Sequence, residues 1–117
     1  MRFFHFALLA LALMLWSTSA QAKEYTVTGI GGFSCGEWTQ YRAESSESAI
    51  MRAGKMFSWI QGFLTGYNAY GPGSGDIRKG TDVGLLSWID NYCKDRPQKT
   101  FNNAALEFIE ERERRNP

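Results

Sequence analysis

The amino-acid sequence predicts an all-α fold: a small disulfide-linked bundle of three to four helices with a short extended N-terminal arm. Apolar residues recur at steps of three and four over residues 46–70 and over two shorter segments that follow, which is the spacing of one face of a helix. Serine or threonine precedes each segment as an N-cap candidate. The chain has two cysteines, Cys35 and Cys93, which allow one intramolecular pairing.

Residues 1–22 have the organisation of a secretory signal peptide. A positively charged start precedes an apolar run over residues 3–16, and Ala20-Gln21-Ala22 forms a small-residue cleavage site. The run is too short to span a bilayer. Cleavage after Ala22 would leave residues 23–117 as a single small helical domain in the periplasm. The residue after the cut is not cysteine, so we expect no membrane anchor.

The composition of the exported part excludes several classes of protein. Residues 23–117 contain 12 Lys+Arg, 12 Asp+Glu and no histidine, because His5 lies in the predicted signal peptide. Without histidine there is no Ser-His-Asp or Cys-His pair and no H-E-x-x-H zinc site. A chain whose net charge is zero is also a poor match to nucleic acids and anionic membranes, which bind proteins through basic patches. We therefore expect no enzymatic activity, no cofactor, no metal site and no nucleic-acid partner.

The two cysteines are expected to form one structural disulfide. An oxidising compartment favours pairing in a small exported domain. Closing so long a loop would stabilise the fold by roughly 4 kcal/mol in the chain-entropy model. Neither C-x-x-C redox spacing nor a zinc ligand set is present, since two thiolates without histidine make a poor site.

The N-terminal part begins with Lys23–Phe33, where tyrosine and valine alternate with threonine before three glycines interrupt the pattern. This segment is either a short strand or an extended arm. Ser34 and Glu37 then have the spacing of a capping box, in which the serine oxygen accepts a helix-end N–H and the glutamate reaches back. A short helix is predicted from about Cys35 to Arg42.

The most strongly periodic segment predicts a long amphipathic helix over residues 46–70, with Ser45 or Ser46 as N-cap and Gly71-Pro72 as the stop. Gly62 and Gly66 stand four residues apart on it and predict close packing against a neighbouring helix. The expected core stripe consists of Ala49, Ile50, Ala53, Met56, Phe57, Ile60, Phe63, Leu64 and Tyr67.

Two further helices follow a glycine-rich loop, Gly71–Gly80. The loop lacks the residue order of a phosphate-binding P-loop, so an interhelix turn is the better interpretation. Thr81 or Asp82 caps the third helix and Thr100 caps the last. The expected buried positions are Val83, Leu85, Leu86, Ile89, Tyr92 and Cys93 in the third helix, and Phe101, Ala104, Ala105, Phe108 and Ile109 in the last. Glu110 with Arg114, and Glu111 with Arg115, have favourable i,i+4 spacing.

Carboxylates are the remaining acid/base candidates. Asp76 and Asp82 lie on the loop, and Asp90 and Asp95 flank Cys93. A hydrolase based on them would need two carboxyl groups facing each other across a cleft. Surface carboxylates are far more often solvated than catalytic, and the D-x-D-x-D-G series of a calcium loop is absent.

The aromatic residues are the better candidates for function. Large rings commonly fill the core of a small domain, but tryptophan and tyrosine are also enriched at interface hot spots. Two tryptophans fall beside the helical stripes and two tyrosines lie near the glycine-rich loop. The candidate protein-binding residues are Trp59, Tyr67, Tyr70 and Trp88.

The order of these features resembles the HdeA/HdeB family of periplasmic acid-stress chaperones. The resemblance runs from Ser34-Cys35-Gly36-Glu37-Trp38, through the long helix, to the second cysteine in Tyr92-Cys93-Lys94-Asp95 and on to about Glu111. Exported immunity proteins of the Rap1a/Tai type have a similar build. The HdeA-like resemblance implies a helical homodimer at neutral pH that loosens in acid and exposes apolar surface to unfolding client proteins.

Three functional hypotheses follow from the sequence. The first is an exported, HdeA-like chaperone whose switch is carboxylate protonation below about pH 5, because no histidine is present to titrate near pH 6. The alternative is an immunity or inhibitor protein that neutralises a toxin or cell-wall hydrolase through a fixed surface at neutral pH. A hydrolase that uses only carboxylates is the third hypothesis.

Overall fold

The computed structural model describes residues 24–73 and 75–116, and the predicted signal peptide lies outside the described residues. Within these ranges the regular structure is one short 3₁₀-helix, Gly29–Gly32, and four α-helices. This confirms the all-α class. The helices are α1 (Cys35–Ala43), α2 (Glu47–Tyr70), α3 (Asp82–Lys94) and α4 (Phe101–Arg115).

Each α-helix begins at a polar N-cap whose side chain accepts a backbone N–H from the first turn. In α1, Ser34 and Glu37 form the predicted capping box, which satisfies two end groups at once. Where the sequence left two candidates, Ser46 caps α2 and Thr81 caps α3. Thr100 caps α4 and forms a second capping box with Asn103.

The core is a single cluster in which the long helix α2 packs against α1 and α4, and α3 closes the other side. Its largest fully buried side chains come from all four helices. Burial of such apolar area is the main favourable contribution to folding. These side chains are Trp38, Met56, Ile60, Leu64, Ile89, Phe101 and Phe108.

The disulfide joins the first residue of α1 to the C-terminal turn of α3, as predicted. Cys35 and Cys93 are both buried, with their Cα atoms 4.8 Å apart. The connection between α3 and α4 also contacts this point, because the Cys35 N–H donates to the Lys99 carbonyl at 2.7 Å. The start of α1 is therefore fixed both covalently and by the backbone.

The residues before α1 pair with the start of α4. Ser34 and Thr100 form an isolated antiparallel bridge, and the Phe101 N–H donates to the Phe33 carbonyl at 2.7 Å. Residues 24–28 have no regular secondary structure, and Thr28 has extended backbone, with φ of −107° and ψ of 151°. The interrupting glycines then form the 3₁₀-helix, so the N-terminal segment is an extended arm.

Two predicted core positions were wrong. Ile50 is 62% exposed and Val83 is 72% exposed. Each lies in the first turn of its helix, where a different apolar residue, Ala49 or Leu85, points to the core instead. Apolar periodicity therefore located the helices correctly but included one exposed residue in each buried stripe.

The expected role of Gly62 and Gly66 was also wrong within the described chain. Both glycines are exposed, and a Cβ atom added at either would meet no atom within 4 Å. They lie on the solvent side of α2, away from buried Ile60 and Leu64. No neighbouring helix of the described chain approaches this face.

Candidate functional site

Hydrogen bonds between aromatic side chains and carboxylates connect all four helices. In each, an indole N–H or a phenol O–H on one helix donates to an aspartate or glutamate on another. A charged acceptor makes such a bond about twice as strong as one between neutral groups. We call them the aromatic–carboxylate bonds: Trp38 to Asp90 (α1 to α3), Trp88 to Glu111 (α3 to α4) and Tyr67 to Glu113 (α2 to α4).

The Asp90 carboxylate connects α3 to α1 beside the disulfide. It accepts the indole N–H of buried Trp38 at 2.8 Å, and the guanidinium of Arg42 donates to both of its oxygens at 3.2 and 2.9 Å. The hydrogen bond to Asp90 raises the pKa of Arg42. Arg42 also lies over the Trp38 ring, 5.6 Å from its centroid. Each of the three side chains therefore contacts the other two.

Trp88 lies half-buried between α3 and α4. Its ring stacks on Tyr92 at 5.3 Å and meets the edge of Phe108 at 5.1 Å, while its N–H donates to Glu111 at 2.8 Å. The other oxygen of Glu111 forms an ion pair with Arg115 at 2.6 Å. The apolar body of Trp88 is therefore covered by rings, and its polar end is satisfied by a charge.

Tyr67 connects the C-terminal part of α2 to the end of α4. Its hydroxyl donates to Glu113, and that hydrogen bond, with smaller contributions from burial and from the negative charge, raises the pKa of Tyr67. The ring also lies against the backbone of the glycine-rich loop. A Cβ atom at Gly71 would come within 2.9 Å of it, so glycine is required at that point of the loop.

Trp59 lies half-buried against the N-terminal segment. Its ring stacks on Phe63 with centroids 5.3 Å apart, and its N–H donates to the Thr28 carbonyl at 3.1 Å. Gly31 rests directly on the indole, since a Cβ atom there would lie 2.1 Å from a ring atom. The ring thus anchors the 3₁₀-helix to α2.

The glycine-rich loop is pinned to α2 by Asn68. Its amide N–H donates to Asp76 at 2.7 Å, and its carbonyl oxygen accepts the Ile77 N–H at 2.9 Å. Ile77 is buried in the core, only 8% exposed. Asp82, the first residue of α3, pairs with Arg78 of the loop. These two carboxylates connect the loop to α2 and to the start of α3.

An apolar groove of about 260 Å³ runs between α1 and α2, with one wall from α3. Exposed Ile50 lies on its edge, and Met51, on the same turn of α2, is 52% exposed. The charged side chains of Arg42 and Glu44 stand at the rim. The apolar lining consists of Trp38, Tyr41, Ile50, Ala53, Gly54, Phe57 and Leu86.

The structure does not bring the four predicted contact residues together as one patch. Trp59, Tyr67 and Trp88 are half-buried, each with its polar atom bonded, whereas Tyr70 is 94% exposed at the end of α2. Their role in protein binding stays a prediction. The three carboxylates were missed because each lies 23 to 52 residues from its partner, a separation that periodicity does not detect.

Comparison with known proteins does not assign a family. Neither models of protein families, nor curated protein sequences, nor solved structures match the chain. In the described ranges no group of three or more histidine, cysteine, aspartate or glutamate side chains is placed to hold a metal ion. Among the same residues, no helix is long and apolar enough to cross a membrane.

Proposed function

We propose that this protein is an exported protein-binding protein, of the HdeA-like acid-stress type, that loosens in acid and exposes aromatic surface to unfolding clients. The observation that carries the proposal is the set of aromatic–carboxylate bonds. Each joins two helices, and together they involve all four. A change that weakens carboxylates as acceptors therefore acts at once on the contacts of α1 with α3, of α3 with α4 and of α2 with α4.

Protonation has that effect. A carboxylate that gains a proton loses its charge, and its hydrogen bonds fall to the strength of neutral ones. At Asp90 the ion pair with Arg42 is lost as well, and Lys94 lies nearby on α3. At Glu111 the interaction with Arg115 is lost, and at Glu113 the neighbouring charges are Arg112 and Lys79. Acid therefore leaves Arg42 and Arg115 without their carboxylate partners, and at Glu113 it removes a negative charge that lies near two cations.

The overall charge acts in the same direction. Residues 23–117 balance 12 carboxylates with 12 cations. Complete protonation of the carboxylates leaves the cations alone, and a strongly charged domain is destabilised by self-repulsion. The disulfide would still hold α1 to α3, so we expect a loosened state that keeps part of the bundle.

Export to the periplasm is part of the proposal. A buried disulfide is typical of proteins that fold in oxidising compartments. The predicted signal peptide in residues 1–22 provides the route. We propose binding of other proteins rather than catalysis, with unfolded polypeptides as the clients.

The apolar groove between α1 and α2 favours a second candidate function, that of an immunity or inhibitor protein. The groove is open in the folded state, and exposed Ile50 and Met51 extend its apolar surface. A fixed apolar surface with charged residues at its rim has the composition of a protein interface. This candidate requires tight binding of one folded partner at neutral pH.

Client protection at different pH values tests the proposal. Aggregation of a reporter protein that unfolds in acid, and binding of the dye ANS, are measured from pH 7 to pH 2. We expect protection and ANS binding to rise together as the pH falls. A compact protein that protects nothing at low pH contradicts the chaperone function, and recovery of one stoichiometric partner at neutral pH supports the inhibitor instead.

A further inference from the structure

The extended arm, residues 24–28, is attached to the bundle differently from the rest of the chain. Residues 24–27 form no backbone–backbone hydrogen bond with other described residues. The chain after residue 30 is firmly held, because Gly31 rests on the Trp59 indole and Phe33 pairs with Phe101. The arm is thus a short extended segment beside a fixed anchor.

Two side-chain contacts seat the arm, one on each of two helices. The Tyr25 hydroxyl and the amide of Asn102 are hydrogen-bonded, with O–O and N–O distances of 3.3 and 3.0 Å. Asn102 is the one buried polar residue of α4, at 6% exposed. On α2, the Trp59 N–H donates to the Thr28 carbonyl at 3.1 Å. The seat therefore exists only while α2 and α4 stay together.

A hinge lies between the arm and its anchor. Gly29 has φ of +69°, a left-handed conformation that is easy for glycine and costly for other residues. As the first residue of the 3₁₀-helix, Gly29 lets the backbone rotate where the arm joins its anchor. The arm is held at only two places and is joined to the bundle by a glycine. We therefore expect the arm to detach more readily than the helices unfold.

A groove of about 420 Å³ runs between the arm and α2. Its α2 side is formed by an indole stacked on a phenyl ring, together with a serine and a glycine that leave room beside the rings. The arm supplies the other side with four consecutive residues. The lining residues are Tyr25, Thr26, Val27, Thr28, Ser58, Trp59, Gly62, Phe63 and Asn102.

We propose that the arm is a releasable strap, and that the surface it covers binds an extended segment of another polypeptide. The contacts of the arm indicate what kind of segment could replace it. The Thr28 carbonyl accepts the Trp59 N–H, and the Tyr25 hydroxyl accepts an N–H of the Asn102 amide. Extended peptides with aromatic and β-branched side chains satisfy both contacts. Such segments are buried in folded proteins and become exposed when those proteins unfold.

This inference rests on the proposed function and specifies where the client binds. Tyr67 and Glu113 hold α2 to α4 at one place, and the strap bridges the same two helices at another. Weakening of the first contact in acid loosens α2 on α4 and so weakens the hold on the strap, while the Trp59 and Phe63 rings that receive the client stay together on α2. The strap would thereby keep the binding surface closed at neutral pH.

Two pairs of variants test the strap in the full exported chain. Tyr25→Ala removes the ring and the hydroxyl, while Glu24→Ala changes its exposed neighbour in the arm. Gly62→Phe fills the groove, and Gly66→Phe places the same ring one turn further along α2, outside the groove. A Cβ atom at Gly62 or at Gly66 meets open space, so both phenylalanine variants are expected to fold.

The probe is reduced, carboxymethylated α-lactalbumin, a permanently unfolded polypeptide, with hydrogen exchange of residues 24–28 as an independent readout. We expect Tyr25→Ala to speed hydrogen exchange in the arm. We also expect it to bind the probe at pH 7 about tenfold more tightly than the parent, because a strap that is closed about nine-tenths of the time weakens the apparent affinity about tenfold. Adding Gly62→Phe to Tyr25→Ala should remove the gain in affinity for the probe, and adding Gly66→Phe to Tyr25→Ala should leave that gain unchanged. Glu24→Ala should have the same affinity for the probe and the same hydrogen exchange in the arm as the parent.

Other results overturn the inference. If the parent binds the probe at pH 3 but Tyr25→Ala gains no affinity at pH 7 although its arm exchanges rapidly, the strap covers no binding site, and the proposed function stands without it. If Gly62→Phe and Gly66→Phe weaken binding equally, the client does not bind in this groove. If none of the proteins binds at any pH, the strap and the proposed function both fail.

Discussion

The indole nitrogen of Trp88 in α3 lies 2.8 Å from a carboxylate oxygen of Glu111 in α4. The neighbouring Glu110 offers a matched comparison. Both glutamates pair with an arginine four residues later, Glu111 with Arg115 and Glu110 with Arg114, but only Glu111 accepts the tryptophan N–H. A difference in stability between alanine variants at the two positions therefore measures the contribution of the contact between α3 and α4.

The first prediction compares Glu111→Ala with Glu110→Ala. We expect Glu111→Ala to lower the free energy of unfolding at pH 7 by about 1–2 kcal/mol, because a bond to a charged acceptor is lost. Glu110→Ala should change it by less than about 0.5 kcal/mol, as for an exposed pair. Urea unfolding measures both changes. Equal effects at pH 7 would show that the indole bond adds nothing.

The second prediction concerns the close contact between Gly31 and Trp59. Gly31→Ala places a Cβ atom about 2.1 Å from the indole, so either the ring or the 3₁₀-helix must shift. We expect a loss of about 1–3 kcal/mol of stability, the usual cost of overpacking. Gly32→Ala is the control, because a Cβ atom there meets nothing within 4 Å. Thermal unfolding distinguishes them, and equal midpoints would mean that the ring moves freely.

The third prediction concerns alkaline pH. The pKa of Tyr67 is raised above 10.0 by its hydrogen bond to Glu113, and the pKa of Tyr92 is raised by burial and by Glu107. A raised pKa means that the folded state prefers the neutral phenol. The stability that this preference contributes is present below pH 10 and is lost as the pH rises through the raised values.

Unfolding free energies measured from pH 9 to pH 12 test this expectation. Stability should fall with rising pH, and the slope should be smaller in Tyr67→Phe and in Tyr92→Phe. Tyr70→Phe is the control, because that side chain is 94% exposed. A slope that is unchanged in both phenylalanine variants would remove these two tyrosines as its origin.

The fourth prediction is that the disulfide supplies much of the stability. Cys35 and Cys93 are separated by 58 positions, and opening a loop of that length costs about 4 kcal/mol in the chain-entropy model. Cys35→Ala/Cys93→Ala should therefore unfold at a much lower urea concentration than the oxidised parent. The reduced parent provides the comparison without a change of sequence. If reduction leaves the midpoint unchanged, noncovalent packing alone fixes α1 on α3.

The sequence predicts the helices well because their signals are local. Ser34 and Thr100 lie directly before the helices they cap, and the core stripe of α2 is visible as steps of three and four. Errors arise at the helix starts. Ile50 and Val83 continue the apolar pattern but face solvent, since only packing against the other helices determines where the buried stripe ends.

The candidate site is predicted less well because it depends on pairs that are distant in sequence. Trp88 is recognisable as an unusual aromatic, but Glu111 looks like any carboxylate in a charged helix end. The extended arm shows the same limit. Its alternating residues suggest a strand, and only the fold reveals that Tyr25 meets Asn102, 77 positions later.

The position of the disulfide has a mechanical consequence. It links the first residue of α1 to the last turn of α3, so the chain between Cys35 and Cys93 is bypassed when tension is applied between the arm and the end of α4. Along the covalent chain the load runs from the arm through the sulfur–sulfur bond and residues 94–100 into the last helix, and α2 lies outside this covalent path. Pulled from its two ends, the oxidised domain should yield a short extension from the arm and α4 alone, while the reduced domain should release the length of α1, α2 and α3 as well.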